Sequence, residues 1–427
     1  MRPEGFKHAF VTALAAGFLF PGRLEISGAP TQTEAQTLVQ LLRAVGVEGQ
    51  LVGSCASIEV ESVAGDFPVE LFDSIHGSLY LIPGLLVHTG KARLRAAGGC
   101  AIGDVASGAR PTIQYANVLE RFGAIVDYAT GDVRLPARGF KGAKVDLRDF
   151  TDDRQALSGP LYSGATKFAI LCAAAATGRS EVLYPYPKAD VTELITVLRK
   201  VGVSILSDHE DDERLIITGG VAQAAGDTVR HVLVPDLMQT LTWLVAGQVT
   251  SGEVGVIVEE PDRLVAALRP ELDALEAMGL RVRNHAGILR LVQTADAIQP
   301  IDLRVQSRGV FSDAQPMFAL LMAGASGKST ISDQVWRGRY GYAKGLATLG
   351  ADVTQEGARL VIQGASRPWK RGASVVATDL RAGVCLTLAA AAADGSSVVR
   401  GVDHIDRGFT GFEERLASLG ASVRRRW

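Results

Sequence analysis

Leu42-Arg43-Ala44-Val45-Gly46-Val47 decides the architecture of this chain, because the same phrase returns five more times. It recurs as Leu119-Glu120-Arg121-Phe122-Gly123-Ala124, as Leu198-Arg199-Lys200-Val201-Gly202-Val203 and as Leu275-Glu276-Ala277-Met278-Gly279-Leu280. The last copies are Leu346-Ala347-Thr348-Leu349-Gly350-Ala351 and Leu416-Ala417-Ser418-Leu419-Gly420-Ala421. Successive glycines lie 77, 79, 77, 71 and 70 residues apart. Each copy reads as the end of an amphipathic helix, a glycine C-cap in the left-handed region and the start of a strand. Strand-like runs follow: Ala124-Ile125-Val126, Val203-Ser204-Ile205-Leu206, Leu280-Arg281-Val282-Arg283 and Ala421-Ser422-Val423. A single LxxxG carries little information, but six at nearly constant spacing mark an internal repeat.

Each unit also holds a second, Ala-rich helix, as in Lys167–Ala176, Leu237–Ala246, Ala314–Ala325 and Leu380–Ala393. Most are followed by a glycine and a short strand, such as Ser180-Glu181-Val182-Leu183 or Ser397-Val398-Val399. Helices that are apolar on every face are buried on every face. The expected fold class is therefore α/β, with two inside-out barrel-like domains, helices inside and sheets outside, each of three repeated units of about 70–80 residues. The first lobe is expected over residues 7–229 and the second over 230–427, each large enough for its own core, with a ligand cleft between them.

Composition narrows the function. Hydrophobic residues make up 47% and charged residues 21% of the 427, which fits a globular chain and excludes disorder. Lys and Arg number 44 against 46 Asp and Glu, so a nucleic-acid partner, which needs a basic surplus, is not expected. The four cysteines, Cys55, Cys100, Cys172 and Cys385, show no metal-ligand spacing and no disulfide framework, which fits a reducing cytoplasm. No metal and no cofactor is expected. No apolar run reaches the roughly 18–20 residues of a membrane span. The run Ala9–Phe20 imitates a signal peptide, but only Pro21-Gly22-Arg23 follows it, and a buried helix from near Phe6 to before Pro21 is the expected form. Gly324-Ala325-Ser326-Gly327-Lys328-Ser329-Thr330 falls short of a phosphate loop, since Met322 replaces its first glycine and a helix precedes it. The acidic run Ser207–Glu213 is expected to be a solvated hairpin tip.

Three features look chemical. Gly98-Gly99-Cys100-Ala101-Ile102-Gly103 places a cysteine between glycines, with Lys91, Arg93, Arg95 and Arg110 near enough in sequence to lower its thiol pKa. A buried loop cysteine is the alternative reading. Cys55, Cys172 and Cys385 read as small apolar residues. Arg339, Arg381 and Arg407 stand where a strand or loop meets a helix, a repeated placement suited to phosphate or carboxylate. Asp313 is either the N-cap of the next helix or a general base.

These stretches, above all Gly98–Gly103 with Gly108–Pro111, Thr378–Arg381 and His404–Gly408, resemble the enolpyruvyl transferases from Lys7 to the C-terminus. The likeness is greater to the UDP-N-acetylglucosamine branch than to the shikimate-pathway branch. It implies the same two-domain, six-unit fold and no metal. It also implies that phosphoenolpyruvate and a uridine nucleotide are the partners. By resemblance, Lys7 contacts both substrates, and Cys100 acts on phosphoenolpyruvate and is alkylated by fosfomycin. Arg110 and Pro111 bracket the uracil, and Gly164, in Ser163-Gly164-Ala165-Thr166, lies in a turn beside the nucleotide phosphates. Asp313 receives the proton of the acceptor hydroxyl, and Arg339, Asp379, Arg381 and Arg407 lie near phosphoenolpyruvate.

The departures fall mostly on the acceptor side. His8 stands for an asparagine, His76 for an arginine and Ile113 for an acidic residue, and about four extra residues, Asp104–Ser107, lengthen the cysteine loop. Almost nothing of the family's N-terminal strand precedes Lys7, so either the start lies upstream or the second domain closes differently. The resemblance thus points to an enolpyruvyl transferase with a modified acceptor. A UMP-type acceptor, as in nucleoside-antibiotic pathways, is preferred to the cell-wall substrate UDP-N-acetylglucosamine. A catalytically inactive nucleotide-binding paralogue stands as the non-enzymatic alternative.

Overall fold

The computed structural model describes residues 1–95, 98, 111–207, 213–220 and 228–426. All six phrase glycines have positive φ, between +75° and +113°. In five copies the N–H of the residue after the glycine donates to the carbonyl of the leucine that opens the phrase. The bonds are Val47 to Leu42, Ala124 to Leu119, Val203 to Leu198, Ala351 to Leu346 and Ala421 to Leu416, at 3.0–3.1 Å. This is a Schellman closure: it satisfies a carbonyl the helix leaves orphaned and sets the leucine against the apolar residue beyond the glycine. A side chain at that φ would be strained, so the repeat needs glycine there.

The outer sheets share one plan. In the third unit Lys144–Asp146 runs parallel to Gly178–Leu183, which pairs antiparallel with Arg214–Gly219, and that strand with Ser204–Ser207. The fifth repeats the order with Asp302–Val305, Lys328–Asp333, Arg359–Gln363 and Asp352–Glu356. The first unit has Gly22–Ser27, Cys55–Val60 and Glu48–Val52, and its leading place is taken by Thr228–Val232, which comes after the third unit in sequence. A strand from the end of the lobe therefore completes the sheet at its beginning. The expected strand Ala421-Ser422-Val423 does not form; no neighbouring strand pairs with it among the described residues. The Gly324–Ser329 segment joins a helix to the strand Lys328–Asp333, the reverse of a phosphate loop.

Six inner helices lie under these sheets: Lys7–Phe18, Ile82–Thr89 and Tyr162–Ala175, then Leu237–Val249, Gln315–Ala323 and Leu380–Ala392. The first three pack on one another, and so do the last three. The first is buried from Ala9 to Phe18 without a break, so the stretch that imitates a signal peptide is core. Each fully buried Leu or Phe there, such as Phe10, Leu14 and Phe18, contributes about 1.5–3 kcal/mol. The third inner helix begins at Tyr162, earlier than expected, so Ser163 and Gly164 lie in its first turn rather than in a separate turn. Gly164 is there for closeness: a Cβ would stand 2.7 Å from the Tyr115 hydroxyl. Cys172 and Cys385 are buried on inner helices, whereas Cys55 is exposed at a hairpin strand, so it is not the apolar residue expected.

The chain divides into two compact units, with the break after Val234. Thr228–Val232 straddles residues 229 and 230 and stays with the first unit through its pairing with Gly22–Ser27. Met1–Pro3 belongs to the second unit. There the Met1 ammonium donates to the Gly255 carbonyl, and the Ile257 N–H donates to the Met1 carbonyl. Met1 thus bonds to Ile257 of the strand Val256–Ile257 and to Gly255 just before it. Among the described residues no helix is long and apolar enough to cross a membrane.

Candidate active site

The expected residues of the second unit gather at the start of the inner helices. Asp313 stands just before the helix Gln315–Ala323 but does not cap it. Its Oδ1 accepts from Arg339 Nη1 at 2.7 Å, and its Oδ2 accepts from Arg381 Nε and Nη2 at 3.0 and 2.9 Å. The N-cap reading of Asp313 is therefore wrong: the carboxylate is drawn to two guanidiniums, each a stronger partner than a neutral backbone N–H. Asp379 is the residue that caps, accepting from the N–H groups of Arg381 and Ala382 at the head of Leu380–Ala392, and it stands 3.9 Å from Arg339 Nη2. Arg407 ends the short 3-10 turn Val402–Arg407, which packs on that same helix.

Burial separates the members of this cluster. The Asp313 side chain keeps 21% of its exposure, against 8% for Arg339 and 7% for Arg381. Burial opposes the Arg339 charge, but Asp313, Asp379 and Asp333 outweigh it and push the guanidinium pKa up. The arrangement is a carboxylate presented toward solvent and backed by two permanent buried cations. It can accept a proton while keeping a fixed orientation.

Two residues without a sequence signal of their own complete it. Ser312 donates its hydroxyl to Asp333 and accepts from Arg339 Nη1 at 3.1 Å. Gln315 donates to the Arg339 carbonyl at 2.7 Å and accepts from Tyr342. Only the adjacency of Ser312 to Asp313 could have drawn attention to it.

In the first unit, Lys7 and His8 open the first inner helix, His76 opens a 3-10 turn before the second, and Ser163 and Gly164 lie in the first turn of the third. Contacts link them. Lys7 Nζ is 2.8 Å from Glu34 Oε2. His76 Nε2 lies 3.4 Å from the Tyr115 hydroxyl, and its ring meets Tyr80 and Tyr115. Lys167 Nζ sits 5.1 Å from the Tyr80 ring centroid and 2.7 Å from Asp190 Oδ2, in a buried ion pair. Burial alone would raise Asp190, but Lys167 and His8 together hold it below the ordinary carboxylate value. Glu34, Lys167 and Asp190 escaped the sequence reading because each looks like an ordinary helix residue until the fold pairs it.

Cys100, Arg110 and the lengthened loop Asp104–Ser107 lie outside the described residues, as do residues 208–212 of the acidic run. Pro111 is described, and its carbonyl accepts from Gln114 Nε2 at 2.9 Å. Ile113 is 45% exposed at the head of the helix Ile113–Arg121. Among the described residues no cluster of His, Cys, Asp and Glu could hold a metal ion.

Repeats in two inside-out units thus carry an arginine-held carboxylate at the inner helix heads of the second. The chain belongs to the EPSP synthase (3-phosphoshikimate 1-carboxyvinyltransferase) family, whose model matches residues 7–416. It is 34% identical to the enolpyruvyl transferase NikO from Streptomyces tendae, with a TM-score of 0.91 over 99% of this chain and 95% of that one. It is 30% identical to the UDP-N-acetylglucosamine 1-carboxyvinyltransferase of Desulfosudis oleivorans, over 99% of this chain and 95% of the relative. The EPSP synthase of Acinetobacter baumannii shares the fold, at 17% identity and a TM-score of 0.70. The protein is an enolpyruvyl transferase with the two-domain fold of that family.

Proposed function

We propose that the protein moves the enolpyruvyl group of phosphoenolpyruvate onto a hydroxyl of a uridine nucleotide, and that a UMP-type acceptor is preferred. The observation that carries the chemistry is the Asp313 carboxylate, partly exposed and gripped by Arg339 and Arg381. Asp313 takes the proton of the acceptor hydroxyl, whose oxygen attacks C2 of the donor. C3 is protonated, with Cys100 the candidate acid. The C2–O bond to phosphate then breaks as C3 gives a proton back to the acid that supplied it, which restores the C2–C3 double bond and leaves the enol ether, while the departing phosphate takes up the proton that Asp313 had accepted. Arg381 and Arg407 would neutralise the donor anions, and the helix heads would supply N–H donors.

The acceptor preference rests on the first unit. Where the family resemblance calls for an arginine, His76 is packed among Tyr80 and Tyr115, which removes a permanent cation from the acceptor side. His8 and Ile113 likewise depart from that pattern. The free thiols Cys55, Cys172 and Cys385 support a reducing cytoplasm. UDP-N-acetylglucosamine is the second reading, favoured by relatives that carry that transferase name at 30% identity.

Phosphate release from phosphoenolpyruvate, measured with each nucleotide, decides between them. Release with UMP supports the first reading, and release with UDP-N-acetylglucosamine alone turns the assignment to the second. Silence with both overturns the uridine-nucleotide proposal.

A further inference from the structure

Asp333 ends the strand Lys328–Asp333, and its side chain is almost completely buried. One carboxylate oxygen accepts the N–H groups of Val335 and Trp336, at 2.8 and 2.9 Å, and so shapes the loop that delivers Arg339. The other accepts the Ser312 hydroxyl. With its proton committed to Asp333, Ser312 turns a lone pair toward Arg339 Nη1, which it receives at 3.1 Å. The same Nη1 reaches Asp313 Oδ1. The path Asp333–Ser312–Arg339–Asp313 is continuous, and only its last member retains notable exposure.

We propose that Asp333 is a positioning residue that tunes the Asp313 base, orienting Arg339 through Ser312 and raising the proton affinity of Asp313 by its negative charge. This rests on the reading of Asp313 as general base. Among the described residues the charged and titratable groups around the path are Arg339, Arg381, Asp379, Glu271, which accepts the Phe311 N–H beside Ser312, and, from the neighbouring turn, Tyr340 and Tyr342, whose environment also includes Cys385. Within the connected network the three carboxylates Asp313, Asp333 and Asp379, when ionised, outnumber the guanidiniums of Arg339 and Arg381, and the excess negative charge favours a proton on the exposed member, Asp313. Neutralising Asp333 brings the cluster to balance and weakens the base.

The sign follows. A base must be unprotonated to act, so a lower Asp313 pKa moves the acid limb of the rate profile to lower pH, and a weaker base lowers the plateau. Asp333→Asn keeps the shape and removes the charge. The expected result is an acid limb of kcat moved down by about one pH unit and a plateau roughly tenfold lower. KM for phosphoenolpyruvate is unchanged and Asp333→Glu restores part of the rate.

The assay is phosphate release from phosphoenolpyruvate with UMP, or with UDP-N-acetylglucosamine if UMP is inert. Ser312→Ala, which strands Asp333 without its donor and so favours its neutral form, shifts the limb the same way and serves if Asp333→Asn does not fold. Asp313→Asn alone tests the underlying base reading: an unimpaired rate sinks that reading. Given a slow Asp313→Asn enzyme, Asp333→Asn adds nothing to the loss in that background if it acts through the base. An unmoved acid limb, or an equal further loss without the base, overturns the role of Asp333.

Discussion

The two units share a plan and differ where the inner helices begin. In the second, five charged side chains, Asp313, Asp333, Asp379, Arg339 and Arg381, crowd a single network of ion pairs and hydrogen bonds. In the first, the separate ion pairs Lys7–Glu34 and Lys167–Asp190 stand at the helix heads, and Lys167 also meets Tyr80, whose ring packs with those of His76 and Tyr115. The same backbone thus presents one connected network of charges in one unit and separate ion pairs beside aromatic rings in the other. The repeat supplies helix heads; what they do depends on the side chains they hold.

The largest effect expected is at the charged cluster. Asp313→Asn should lower kcat by about a thousandfold, within the range for losing a general base, with the fold intact by thermal unfolding. A rate within tenfold of the parent enzyme would break the contrast between the two helix-head surfaces.

The ion pair of the first unit should matter to stability in its own right. Lys167→Met leaves Asp190 buried without its cation and should cost about 3–5 kcal/mol in denaturant unfolding. Pairing it with Asp190→Leu should recover most of that loss, because two apolar side chains need no partner. An equal loss in the double variant would show that the pair stabilises beyond mutual neutralisation.

A smaller test separates the units by pH. Asp190 lies below its ordinary value, its burial outweighed by Lys167 and His8. Asp333 lies above its ordinary value, pushed up by burial despite the Ser312 hydrogen bond. A depressed carboxylate contributes stability above about pH 3.9, lost as pH falls through the folded pKa. A raised one contributes fully below about pH 3.9 and loses that contribution as pH rises through the folded pKa. Stability against pH should therefore flatten on the acid side in Asp190→Asn and above about pH 3.9 in Asp333→Asn. The same change in both variants would refute the opposite signs.

The smallest effect belongs to the thiols. In a Cys100→Ser background, Cys55 should react with a thiol reagent in the native protein, while Cys172 and Cys385 wait for unfolding. Burial pushes both of those thiols up. Cys55→Ser should change stability by less than about 0.5 kcal/mol.

Much of the frame was legible in the chain. The glycine phrases carry a local Schellman closure, and a local motif leaves its mark at fixed offsets. The Ala-rich helices announced themselves by being apolar on all faces, and the first inner helix is buried from Ala9 to Phe18 as expected. Boundaries were weaker: the helix starts at Tyr162, earlier than its Ala-rich part, through the turn Tyr162-Ser163-Gly164-Ala165, whose Ser and Gly read as a loop. The strand at Ala421 needed a pairing partner that the phrase does not supply.

The site was legible in part. Asp313, Arg339 and Arg381 were named from their places at loop–helix junctions and Asp379 from the family resemblance, and the four do meet. Asp333, Ser312, Glu34, Lys167 and Asp190 were not, because nothing distinguishes a buried partner from a surface charge in a single sequence.

By itself the amino-acid order determined the period, the glycine turns and which helices are core, since each follows from steric or hydrophobic patterns a few residues long. Tertiary structure alone decided that Thr228–Val232 completes the sheet begun at Gly22, that Asp313 binds arginines instead of capping a helix, and that Lys167 meets Asp190. Strand pairing and ion pairing depend on distance in space, and residues far apart in the chain acquire that only when the core has packed.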